Sequence, residues 1–127
     1  MRAVLTAKNG QFWDLYARRI PVNNPRLPGI RYTYHVYADG TCFCYVNNRN
    51  GTMCLFDGGD ILLSHTWRVA ADTLTIDDRP YPVIRVSPDS IFLKVTFSVG
   101  LEHRIVPDTL ILFRTHRRPI AARDICE

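Results

Sequence analysis

Residues 31–46 read Arg31-Tyr32-Thr33-Tyr34-His35-Val36-Tyr37-Ala38, then Asp39-Gly40, then Thr41-Cys42-Phe43-Cys44-Tyr45-Val46. Two runs rich in β-branched and aromatic side chains flank an Asp-Gly pair, the strongest short-range signal for a β-hairpin. The pair predicts a two-residue type I′ turn, which sets Tyr37 opposite Cys42, Val36 opposite Phe43 and His35 opposite Cys44. Side chains alternate faces along a strand. One face then carries Thr33, His35, Tyr37, Cys42, Cys44 and Val46, and the other Tyr32, Tyr34, Val36, Phe43 and Tyr45. Which of the two points inward stays open.

Outward from this hairpin the same period of two continues, with turn signals at intervals of about ten residues, the pattern of a sandwich or barrel. On the N-terminal side a strand is expected over Phe12–Tyr16. The segment Ile20–Gly29 holds Pro21, Pro25 and Pro28 and reads as a loop or lid, because proline lacks the donor a central strand needs. On the C-terminal side the turn Asn47–Gly51 leads to a strand near Thr52–Phe56, which Asp57-Gly58-Gly59-Asp60 ends. Strands follow over Leu62–Val69, Thr73–Asp77, Tyr81–Val86 and Ile91–Phe97, the first pair joined by Ala70-Ala71-Asp72 and the last pair by Ser87-Pro88-Asp89-Ser90. A longer loop, Ser98–Asp108, precedes a final strand over Thr109–Thr115. About eight strands result, enough for an all-β, antiparallel up-and-down meander that closes into a small barrel and leaves no exposed edge.

Composition agrees with one packed domain over residues 1–127. The chain is 46% hydrophobic and 22% charged, far from the disordered class, and this length supports a core without a disulfide framework. The first ten residues lack the apolar stretch of a signal peptide, and no segment reaches the roughly 20 apolar residues of a membrane helix. A cytoplasmic protein is expected, with Cys42, Cys44, Cys54 and Cys126 as reduced thiols. The net charge of +4 is concentrated in Arg18-Arg19 and Arg114–Arg118 and reads as a solvated rim.

The succession Tyr37-Ala38-Asp39-Gly40-Thr41, His65-Thr66-Trp67-Arg68-Val69, Asp72-Thr73-Leu74-Thr75-Ile76, Tyr81–Ser87 and Asp89-Ser90-Ile91-Phe92-Leu93 resembles the bacterial lipocalin-like domains over about two-thirds of the chain. In that group a DGT-type turn ends an aromatic strand, a Trp strand precedes a D-x-L-x-I strand, and a further hairpin follows. Gly10-Gln11-Phe12-Trp13 carries one residue more than the Gly-x-Trp signature of lipocalins proper. The resemblance implies a calycin-type barrel able to hold an apolar ligand, with Arg114 or Arg117 packed across Trp13. It implies no reaction.

Chemistry-bearing patterns are sparse. One imidazole and two thiols share a face in the expected register, ligand types that zinc accepts, but thiols at i and i+2 lack the tight loop of metal sites. His35 and the cysteines therefore read as interior residues. His65, His103 and His116 lie on separate segments, and Asp57, Asp60, Asp77, Asp78 and Asp89 fall at turns, where carboxylates cap backbone N–H groups. No P-loop, GxGxxG, HExxH or Cys-x-x-Cys is present. Aromatics and arginine clusters occupy different segments, which argues against nucleic acid. The leading expectation is a non-enzymatic module that holds a small apolar or amphipathic molecule, with Tyr32, Tyr34, Tyr45, Trp67, Phe92 and His35 as lining residues and Ile20–Gly29 as a partial lid. No cofactor or metal is assigned. Two alternatives stand beside it: a packed barrel that binds a protein partner, of inhibitor or immunity type, and a small isomerase or cyclase using His35 or a tyrosine as acid/base.

Overall fold

The computed structural model describes Leu5 and residues 10–17, 29–49, 52–55 and 65–116. The expected lid lies outside the described residues apart from Gly29. Among the described residues nine strands are formed: β1 (Gln11–Tyr16), β2 (Ile30–Val36), β3 (Thr41–Asn47), β4 (Met53–Leu55), β5 (His65–Ala70), β6 (Thr73–Ile76), β7 (Arg79–Val86), β8 (Ser90–Val99) and β9 (Arg104–Arg114). Every pairing is antiparallel, and each strand from β5 to β9 pairs with its neighbour in sequence. The ring closes where β1 pairs with both β2 and β9, and where β3 pairs with both β2 and β5. Eight strands make the barrel. The short β4 shares the β5 side of β3, pairing with Tyr45–Asn47 while β5 takes Thr41 and Cys42.

The hairpin that anchors the sequence reading is present, but its register differs by one residue. Val36 pairs with Cys42, His35 with Phe43 and Tyr34 with Cys44. Three residues, Ala38-Asp39-Gly40, form the loop. Tyr37 N–H bonds Thr41 O at 2.9 Å, Gly40 N–H bonds Tyr37 O at 3.3 Å, and only Gly40 in the loop has positive φ, at 92°. This is the three-residue loop in which a type I turn is followed by a left-handed glycine. Asp39 stays at negative φ and accepts hydrogen bonds from Thr41 N–H at 2.9 Å and Thr41 Oγ1 at 2.6 Å, which holds the longer loop. This register reverses the faces: Tyr34 and Val36 go with Cys42 and Cys44, and His35 goes with Phe43 and Tyr45.

A second difference lies in the expected loop Ser98–Asp108. β8 continues to Val99 and β9 starts at Arg104, so a four-residue turn with Gly100 at φ 74° and His103 at φ 52° joins two long strands. Pro107 does not break β9. Arg114 N–H reaches Asp89 O, so by alternation Pro107 turns its missing donor away from β8. On that same margin Asp108 Oδ1 takes the Thr109 N–H at 2.8 Å. β9 pairs with β1 only from Ile111 on, and the proline and the carboxylate blunt the margin before it.

The main core fills the ring. Trp13, Val36, Cys42, Trp67, Leu74, Ile91, Leu93, Leu110 and Leu112 are buried together with Leu5. A second cluster of Phe12, Tyr45, Met53 and Leu55, with Phe43 against it, packs on the other side of β1 and β3. Among the described residues no helix is long and apolar enough to cross a membrane.

Candidate functional site

Strand alternation brings Trp13, Tyr34, Val36, Cys42, Trp67, Leu74, Ile76 and Leu112 to one internal void, with Leu5 beside them. Its volume is about 10 Å³, room for one water at most. The two indoles are fixed by main-chain acceptors: Trp13 Nε1 donates to Leu5 O at 2.9 Å, and Trp67 Nε1 to Tyr37 O at 2.7 Å and Thr41 O at 3.1 Å. Buried indole N–H groups with partners are the expected condition of a packed interior.

The six residues expected to line a pocket separate into two sets. Tyr34 and Trp67 face the interior, and Tyr32 shares the face of Tyr34 by alternation. Tyr45 lies in the second cluster. His35 stacks on Phe12 at 3.9 Å between ring centroids and lies 4.2 Å from Tyr37, on the outer face. Phe92 is also outside, with the Arg85 guanidinium 4.2 Å above its ring. Arg114 lies opposite Trp13 across the β1–β9 ladder, and its Nη2 donates to Gln11 Oε1 at 3.1 Å. Arg117 lies outside the described residues.

The interior polar groups sit beside the void. Tyr34 and Cys44 share a hydrogen bond. Burial pushes the Cys42 thiol up to about 12, and the nearby Asp77 and Cys44 add to the shift. Cys44 is also pushed up to about 12 by burial, against the Tyr34 hydrogen bond that opposes it. Tyr34 is raised well above the usual phenol range, first by burial. Among the described cysteines the expectation of reduced thiols holds for Cys42 and Cys44 and fails at Cys54, which is disulfide-bonded.

One pair was not foreseen. His65 Nδ1 contacts Asp77 Oδ2, while Asp77 Oδ1 accepts the Thr66 N–H at 2.9 Å. Asp77 and Asp78 form the β6–β7 turn at φ 48° and 67°, a conformation that an Asp-Asp pair adopts less readily than Asn-Gly. A carboxylate thus orients an imidazole whose Nε2 is buried without a hydrogen-bond partner. His65 is opposite Cys42 in the β3–β5 ladder, yet no hydrogen bond links it to either thiol. Thiols held protonated are inert as nucleophiles, so the pair stays short of a Cys-His-Asp catalytic set. Among the described residues no group of three or more His, Cys, Asp or Glu is placed to hold a metal ion. The sequence signal for the pair was the doubled aspartate at a hairpin turn, which reads equally as a backbone cap.

The outer wall of β7, β8 and β9 is different in kind. Ile84 and Ile105 are 59% and 70% exposed, and Leu101 at the β8–β9 turn is fully exposed. A groove of about 400 Å³ runs between Asp78–Pro82 and Lys94–Thr96. No family model, curated protein or solved structure matches this chain.

Proposed function

We propose that the chain is a packed lipocalin-like barrel that acts through its outer surface, as a module for binding another macromolecule. The filled interior carries this reading. A void of about 10 Å³ is far below the roughly 300 Å³ at which small-molecule pockets begin, whereas the outer wall offers a groove and exposed aliphatic side chains. Shape and strand order support the lipocalin-like name. Storage of a small apolar ligand in the interior would require Trp67, Leu74 and Leu112 to repack. The disulfide at Cys54 fits an oxidising compartment better than the reducing cytoplasm.

Native mass spectrometry of the protein purified from its own cells tests the reading. The expected mass is that of the bare chain. A small molecule retained at one-to-one stoichiometry would overturn it.

A further inference from the structure

We propose that an acidic, extended polypeptide segment docks along the seam between β7 and β8; this rests on the reading of the chain as a module that works through its outer wall. The ladder between these strands stops at Val83 and Leu93, although β7 begins at Arg79 and β8 runs on to Val99. Proline is the reason. Val83 N–H bonds Asp72 O at 2.7 Å, so the odd-numbered residues of β7 turn their polar groups to β6, and positions 80 and 82 turn theirs to β8. Both are proline and bring no donor to the seam. On β8 the odd-numbered residues face β9, so the Lys94 and Thr96 carbonyls face the seam and receive no N–H from Pro82 or Pro80. Main-chain acceptors along a strand margin are what an added extended peptide satisfies.

The side chains around the seam select the charge of that peptide. Arg79 and Lys94 line the groove, and Asp78 is the only carboxylate among the described residues that line it. Arg85, beyond Val83 on β7, spends its contact on the Phe92 ring. Arg68 shares the outer face of Pro80, being opposite Thr75, which is itself opposite Pro80, whereas Arg79 is opposite Ile76 and so belongs to the other face at the end of β7. Among the described residues the side chains of Arg68, Arg79 and Lys94 find no ion pair and no hydrogen bond. The groove itself carries two cations, Arg79 and Lys94, against one carboxylate, Asp78, and Arg68 and Arg85 stand beyond it, a balance that suits an acidic partner. The exposed Ile84 adds an apolar contact at one end. A single-stranded nucleic acid fits less well, because it needs free aromatic faces; here Phe92 is covered by Arg85 and Tyr81 packs against the core.

The test uses the full chain and a fluorescein-labelled peptide of alternating Glu and Val, with an alternating Lys-Val peptide and an oligothymidylate as comparison probes. Saturable anisotropy with the Glu-Val peptide is expected, together with amide shifts at Lys94–Thr96 in NMR spectra. The double variant Arg79→Glu, Lys94→Glu should weaken binding at least about tenfold, and Arg104→Glu, outside the groove lining, by no more than about twofold. Both alter exposed side chains, so folding is retained. An absence of saturable binding, an equal loss with Arg104→Glu, or tighter seam-dependent binding of the oligothymidylate would each overturn the proposal. A peptide that binds away from the seam overturns the docking site and leaves the outer-surface reading standing; a small molecule retained in the barrel overturns that reading instead.

Discussion

The walls β1–β3 and β7–β9 belong to one ring but are built differently. Along β1 four successive residues, Gln11, Phe12, Trp13 and Asp14, are all buried, so that strand is covered on both faces. On its outer face Thr33 donates to Asp14 Oδ1 at 2.6 Å and accepts from Asn47 Nδ2 at 3.0 Å, a polar network enclosed beside the Phe12–Tyr45 cluster. Buried polar groups tolerate this only when satisfied. Along β8, by contrast, Ile91 and Leu93 are buried while Lys94, Thr96 and Ser98 are exposed, the alternation of a sheet with one wet face. The first wall is scaffold on both sides, and the second keeps a face free for contact.

If that division is right, substitutions should separate by wall. Trp13→Ala removes the largest fully buried side chain and should cost about 3–5 kcal/mol of stability in urea unfolding. A loss below about 1 kcal/mol would mean that the first wall is not the scaffold. Thr33→Val takes a donor from the buried Asp14 carboxylate and should cost about 1–3 kcal/mol. Gly40→Ala keeps space, the nearest atom to an added Cβ being Trp67 O at 3.7 Å, and should cost about 1–2 kcal/mol through its left-handed φ alone. On the second wall, Ile84→Ser and Lys94→Glu should each change stability by less than about 0.5 kcal/mol.

The alkaline limb sharpens the same comparison. Cys42 and Cys44 titrate at about 12 in the folded chain, whereas in the unfolded chain they ionise near 9. Folded groups with raised values keep their protons while the unfolded chain releases them. Their contribution is therefore whole below pH 9 and is lost as pH rises from 9 towards 12. Unfolding midpoints should fall between pH 8 and pH 10.5, and a Cys42→Val, Cys44→Ala variant should flatten that fall. An unchanged slope in the variant would place the titrating groups elsewhere.

The strand sequence and its closure were legible because turn chemistry repeats at regular spacing and hydrophobic residues alternate between turns. Register was not. Asp39-Gly40 suits either a two-residue or a three-residue loop, since both need a left-handed glycine, and both faces of β2 and β3 carry aromatic side chains, so burial could not choose between them. Of the residues expected inside, Tyr34 and Trp67 line the interior, while Tyr45, Phe92 and His35 lie outside it. The β8–β9 arm was hidden by Pro107, which breaks a strand only if its missing donor faces the partner. The His65–Asp77 pair needed the fold, because the register of the β5–β6 hairpin decides which residue near its open end meets His65, 12 positions away in the chain. Whether the barrel is filled is a matter of side-chain volumes in three dimensions, which periodicity does not measure.

The chain holds two tryptophans, Trp13 and Trp67, and both line the internal void, so their fluorescence reports directly on occupancy. Titration with the apolar dye N-phenyl-1-naphthylamine should give no saturable energy transfer from these indoles at neutral pH. Saturation at one dye per chain, with quenching of both tryptophans, would contradict a filled interior and return the function to the inside of the barrel.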